Sequence, residues 1–154
     1  MTLRDLRGLY DERELGMVTC VESPVLGPED YASIHHAGQA LAGRYGVVTL
    51  NAMLEAWAFF VEDVEDGFDA DSAFEYRHDV QCRDWLAEAW PMLTETVRSL
   101  REAELEELDA RYLSATVPLR GVGADRAEPG GGRWWRHRRP RLVEGGEVWL
   151  PPGW

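Results

Sequence analysis

Residues 50–67, LNAMLEAWAFFVEDVEDG, decide the fold class. Leu50, Met53, Leu54, Trp57, Phe60, Val61 and Val64 recur at intervals of three and one, which is a single apolar stripe at the helical period. Glu55, Glu62, Asp63, Glu65 and Asp66 take the other faces, and Gly67 suits a C-terminal cap. The stretch therefore predicts an amphipathic helix with one buried face.

Working outward, the preceding segment repeats the pattern. Pro28-Glu29-Asp30 suits a helix start, because proline fits the first turn and acids favour the positive end of the helix dipole. Tyr31, Ile34, His35, Leu41, Ala42 and Tyr45 fall on one face, and Gly43 and Gly46 mark the stop. Downstream, Ser72-x-x-Glu75 matches a capping box. It predicts a third helix whose stripe is Phe74, His78, Cys82, Trp85, Leu86 and Ala89. Pro91 should interrupt that helix and open a fourth, running to about Ser114 with Leu93, Val97, Leu100, Leu108 and Tyr112 inward. Ahead of these, Leu3, Leu6, Leu9 and Tyr10 suit a short helix and Met17–Val21 a short strand. The expected fold is mainly α, a bundle of about four helices with a C-terminal arm rich in Arg and Trp and room for a small β element.

The 154 residues suggest one domain, long enough to build a core without disulfides. Residues 1–120 read as an acidic helical bundle. Residues 121–154 read as a Gly-rich linker and an arm docked on the same domain. The two cysteines, Cys20 and Cys82, lack the spacing of a zinc knuckle or a CxxC motif. No apolar run reaches signal-peptide or membrane-span length, so a cytoplasmic protein with reduced thiols is expected.

Charge is segregated. Residues 1–120 hold ten Arg and 24 acids, a net of −14, whereas residues 121–154 hold six Arg and four acids, a net of +2. Every basic residue is Arg, and Ile and Asn occur once each, which points to a GC-rich bacterial genome. An acidic body repels phosphate, so nucleic acid is a poor partner and a basic protein a better one. The acids Glu62, Asp63, Glu65 and Asp66 are the candidate contact face. The segment Arg133-Trp134-Trp135-Arg136-His137-Arg138-Arg139-Pro140-Arg141 is the opposite pole. Its Trp134, Trp135, Arg136 and Arg138 could stack on bases, press into an anionic membrane, bind a partner or fold back on the acidic body.

Three chemical readings remain. The order His35 or His36, His78-Asp79, Asp109 is that of HD-type metal phosphohydrolases, with His36, His78, Asp79 and Asp109 as ligands. Against it, Glu75-Tyr76-Arg77 precedes the dipeptide where an apolar stretch is usual. Glu62/Glu65 and Glu104/Glu107 have the E-x-x-E spacing of helical Mg²⁺ nucleotide pyrophosphatases, although each pair also suits a solvated helix face. Cys82 lies four residues after His78, a spacing that supplies only two ligands. No serine has a nucleophile-elbow context, so no catalytic set and no cofactor is expected.

A longer pattern runs Trp57-x-x-Phe60-Val61-x-x-Val64-Glu65-x-Gly67-Phe68, Glu75-Tyr76-x-x-Asp79-Val80-x-x-Arg83-Asp84, Leu108-Asp109-Ala110-Arg111-Tyr112 and Trp134-Trp135-x-x-Arg138. It resembles small uncharacterised proteins of high-GC actinobacteria. The resemblance implies no activity, but it implies that Glu75, Tyr76, Asp79 and Arg83 form one helix-borne polar cluster, with Asp79 and Arg83 paired at i and i+4. The reading favoured is an acidic, non-enzymatic interaction protein of the immunity or inhibitor kind. A metal-dependent phosphohydrolase is the alternative, and self-pairing through the many Trp and Tyr residues is an open option.

Overall fold

The computed structural model describes residues 25–145 and 149–154. The expected helix over Leu3–Tyr10, the strand at Met17–Val21, Cys20, and Glu147 and Val148 lie outside the described residues. The fold is mainly α. Helix α1 spans Pro28–Tyr45, and Asp30 in its first turn accepts the Gly27 N–H (2.8 Å). Of its expected face Leu41 is buried and Ile34, Ala42 and Tyr45 are half-buried, but Tyr31 and His35 are exposed, and Ala37 and Gly38 are buried in their place. Helix α2 spans Leu50–Asp66, with the Thr49 hydroxyl capping Ala52 N (3.1 Å) and Gly67 at φ 105° closing the other end. It buries Leu50, Leu54, Trp57, Phe60, Val61 and Val64, the stripe its spacing predicts.

The third helix departs from expectation. Strand β1 (Phe68–Asp69) leads into a 3₁₀ turn, Ala70–Glu75, and it is Asp69, not Ser72, whose side chain caps it, accepting Asp71 N at 3.0 Å. A four-residue helix α3 (Tyr76–Asp79) follows, then a break at Val80 with ψ −1°, then α4 (Gln81–Ala89). Tyr76 and Val80 are buried at the break, and α4 buries Cys82, Arg83, Asp84, Trp85 and Leu86 after it. Phe74 (63% exposed) and His78 leave the expected stripe and face solvent, whereas Cys82, Trp85, Leu86 and Ala89 keep it.

Pro91 sits in a 3₁₀ turn, Trp90–Met92, and does not open the next helix. Helix α5 starts later, at Glu95–Ala115, with Thr94 accepting Val97 N at 3.3 Å. Leu93, Val97, Leu105, Leu108 and Tyr112 face inward, while Leu100 points out. Helix α2 packs against both α4 and α5, and α1 packs on α4.

The chain then returns across this layer. Strand β2 (Thr116–Pro118) pairs antiparallel with β3 (Arg138–Pro140), and β4 (Val143–Glu144) pairs parallel with β1, Phe68 opposite Val143. Between them lie a one-turn helix α6 (Ala124–Ala127) and a 3₁₀ turn, Trp134–His137. Trp149 and Leu150 are exposed and form no strand. Gly67 is where β4 comes closest: a Cβ there would stand 2.6 Å from the Glu144 carboxylate. Rings knit the halves together, with Trp57 to Tyr112 at 4.9 Å, Phe60 to Tyr76 at 5.1 Å and Tyr112 to Trp134 at 5.9 Å.

Candidate functional site

Several charges that looked available in sequence are paired within the molecule, Arg83, Asp84, Asp109 and Arg136 among them. Asp84, on α4, is 2% exposed. It accepts the Trp135 indole N–H (2.8 Å) and Arg136 Nε (2.8 Å), and Arg133 approaches at 3.4 Å. Arg83 sends Nε and Nη2 to the two oxygens of Asp109, both at 2.8 Å, and its guanidinium lies 4.1 Å from the Trp135 ring centre. The Trp57 indole N–H reaches the same Asp109 carboxylate at 3.1 Å. Arg138 is buried and donates to Thr116 Oγ1 (2.7 Å), Ala127 O (2.6 Å) and Thr116 O (2.9 Å). Burial pulls its guanidinium below the ordinary arginine value. Lysine could not serve there, because only the planar fork reaches several fixed carbonyls at once.

Trp134, Trp135, Arg136 and Arg138 therefore make their contacts within the chain's own fold. The resemblance-implied polar cluster is not formed. Asp79 ends α3, the break at Val80 separates it from Arg83, and Arg83 turns to Asp109; Tyr76 is buried with its hydroxyl hydrogen-bonded to that of Tyr112, and Glu75 faces solvent. The candidate metal set does not converge either. His36 and His78 are exposed, Asp109 is held by Arg83 and Trp57, and among the described residues no three His, Cys, Asp or Glu side chains are grouped to hold a metal. Of the E-x-x-E acids, Glu104 is bonded to Arg101 at 3.0 Å. Glu65 receives two bonds from Arg111 (2.9 and 2.7 Å), which hold it below the usual carboxylate range. Cys82 is buried, and desolvation pushes its thiol up to about 12, far from the thiolate a nucleophile needs.

Glu88 was not singled out in sequence, yet it ties three elements. Arg44 (2.9 and 2.5 Å), the Tyr45 hydroxyl (2.7 Å) and Arg133 (2.8 Å) all donate to it. The Arg44 bonds, followed by those of Tyr45 and Arg133, hold its carboxyl at about 2. A folded value depressed from 4.5 supplies stability that is fully present above 4.5 and lost as pH falls toward about 2. Glu88→Gln is therefore expected to flatten the acid-unfolding profile between those limits and to lower stability at pH 7. An unchanged profile would show that the three donors do not act through this carboxylate.

Acids without a basic partner also line a cleft of 250 Å³ where the end of α2 meets the 3₁₀ turn and α3. Asp63, Asp66, Asp69, Glu75 and Asp79 line it beside Phe68 and Ser72, and no basic side chain does. Burial raises the Asp79 carboxyl, and the charges of Glu75 and Asp63 raise it further against the opposing pull of His78. The five acids are too dispersed to hold one ion among them, as the absence of any three-residue metal grouping among the described residues shows. They make a broad anionic field. Glu62 is exposed on the neighbouring face of α2.

Comparison with family models, with curated proteins and with solved structures finds no match to this chain. Among the described residues no helix is long and apolar enough to cross a membrane.

Proposed function

We propose that this protein is a non-enzymatic interaction protein that binds a basic protein partner through the cleft of Asp63, Asp66, Asp69, Glu75 and Asp79, as immunity and inhibitor proteins do. One observation carries the reading. Helix α2 has no basic residue in its last turn, while Asp63 and Asp66 stand there, at the negative end of its dipole. Each acid so placed costs about 0.3–1 kcal/mol. The sequence bears that cost although Arg111 neutralises Glu65 in the same turn and other arginines neutralise Asp84, Glu88 and Asp109 elsewhere. Guanidinium or ammonium groups of a partner would relieve the repulsion on binding, and complementary charge speeds encounter and excludes wrong partners.

Asp63→Asn/Asp66→Asn is therefore expected to raise the melting temperature by roughly 2–4 °C while weakening partner retention. The check pairs thermal unfolding with capture from a lysate of the source at low and high salt. Wild type should retain a basic protein at low salt and release it at high salt, and the variant should not retain it. Equal retention by the variant removes the cleft from the interface, and no retention by wild type removes the reading.

A further inference from the structure

A second recess has the opposite character. It measures 370 Å³ and is lined by Tyr76, Arg77, Arg136, His137, Arg138 and Trp154, with two prolines and Leu119 at its margin. No acid lines it, in a chain whose net charge is −12. Its volume falls within the range of small-molecule pockets, roughly 300–1,000 Å³. Arg77 lies two positions from both Glu75 and Asp79, about 200° round the helix, so α3 presents acids to one side and a cation to the other.

The charges here are not equally balanced. Arg136 is neutralised by Asp84. Arg138 is buried against neutral oxygens, and the nearest carboxylate, Glu128, is 3.7 Å away and half exposed. Arg77 is exposed and has no carboxylate partner among the described residues. Arg77 thus faces the recess without a carboxylate, while Arg138 adds a buried positive charge whose donors are bonded within the fold and whose nearest carboxylate is Glu128 at 3.7 Å. Trp154 and Tyr76 add apolar lining, their rings meeting edge to face at 5.1 Å.

We propose that this recess binds a small organic anion, a carboxylate or phosphate carried on a flat apolar ring. The oxyanion is held by Arg77 within the positive field of Arg138, and the ring lies against Trp154 and the prolines. The surrounding acidic surface repels the same anion, which favours the recess. This proposal does not depend on the acidic cleft, which shares none of the cations.

The test uses the intact protein with phenyl phosphate, benzoate, inorganic phosphate and benzyl alcohol as probes, followed by calorimetry and by the indole N–H resonance of Trp154. The expected result is saturable one-to-one binding of at least one aryl anion that moves the Trp154 resonance; which one binds identifies the oxyanion. Arg77→Glu, at an exposed position, should keep the wild-type melting temperature and lose about tenfold in affinity, the equivalent of one charge-assisted hydrogen bond. Arg77→Gln should lose less. Absence of saturable binding by both aryl anions overturns the proposal, and so does affinity unchanged in Arg77→Glu. Equal affinity for benzyl alcohol removes the role of charge, and equal affinity for inorganic phosphate removes the role of the ring.

Discussion

Asp84→Ala is expected to cost about 3 kcal/mol, because it removes the buried carboxylate that accepts from the buried Trp135 indole and the partly exposed Arg136. The Trp135 indole N–H would be left unpaired in the interior, whereas the Arg136 guanidinium, 24% exposed, would lose its ion pair and turn to water. The melting temperature should fall by roughly 10 °C, at about 2–4 °C per kcal/mol for a chain of this size. Asp84→Asn separates the two components. It retains an oxygen for Trp135 and loses only the charge on Arg136, so it should fall about midway. Denaturant unfolding followed by tryptophan emission checks both variants. A loss under about 1 kcal/mol in Asp84→Ala would mean that the arm is held by ring packing and β-pairing alone.

Trp57→Ala should be equally damaging for a different reason. The ring is completely buried, stacks 5.9 Å from Phe60 and lies 4.9 Å from Tyr112, so truncation opens a cavity in the centre of the layer. Truncating an aromatic residue in such a position costs about 3–5 kcal/mol. Trp57→Phe keeps most of the volume and loses the bond to Asp109. It should cost about 1–2 kcal/mol, since Asp109 retains both contacts from Arg83. If Trp57→Phe matches Trp57→Ala, the indole N–H and not the packing carries the position. Calorimetric melting of the two variants decides.

The helices were legible wherever an apolar stripe was uninterrupted. The spacing from Leu50 to Val64 is enough to place α2 and its buried face, and Pro28 with Asp30 is enough to start α1. The third helix was not legible. Ser72-x-x-Glu75 is a genuine local signal, but Asp69 supplies the cap instead, and the break at Val80 carries no local mark in the sequence. The paired charges were not legible either. Arg83 has Asp79 one turn away in sequence and Asp109 across the core, and only tertiary structure chooses between them. Asp84 and Glu88 gave little sign, since an acid on an amphipathic helix ordinarily faces water. One hint was present: Arg83-Asp84 interrupts the apolar run from Cys82 to Leu86, where a solvated face does not belong. The acidic cleft was half legible. The acids from Glu62 to Asp66 were conspicuous, but Glu65 leaves them to meet Arg111, and Glu75 and Asp79 join them from the 3₁₀ turn and α3.

The pairing of β1 with β4, and the seating of Trp134 and Trp135 on α4 and α5, bear on how the chain is made. Synthesis delivers α1 to α5 first, yet Phe68 waits for Val143, some 75 residues later, and Asp84 waits for Arg136. Until residues 133–145 have left the ribosome, the nascent helices carry a buried carboxylate without its cations and an aromatic layer without its lid. Contacts so distant in sequence close slowly. The interval before closure is the time at which the nascent protein is most open to chaperones and to aggregation.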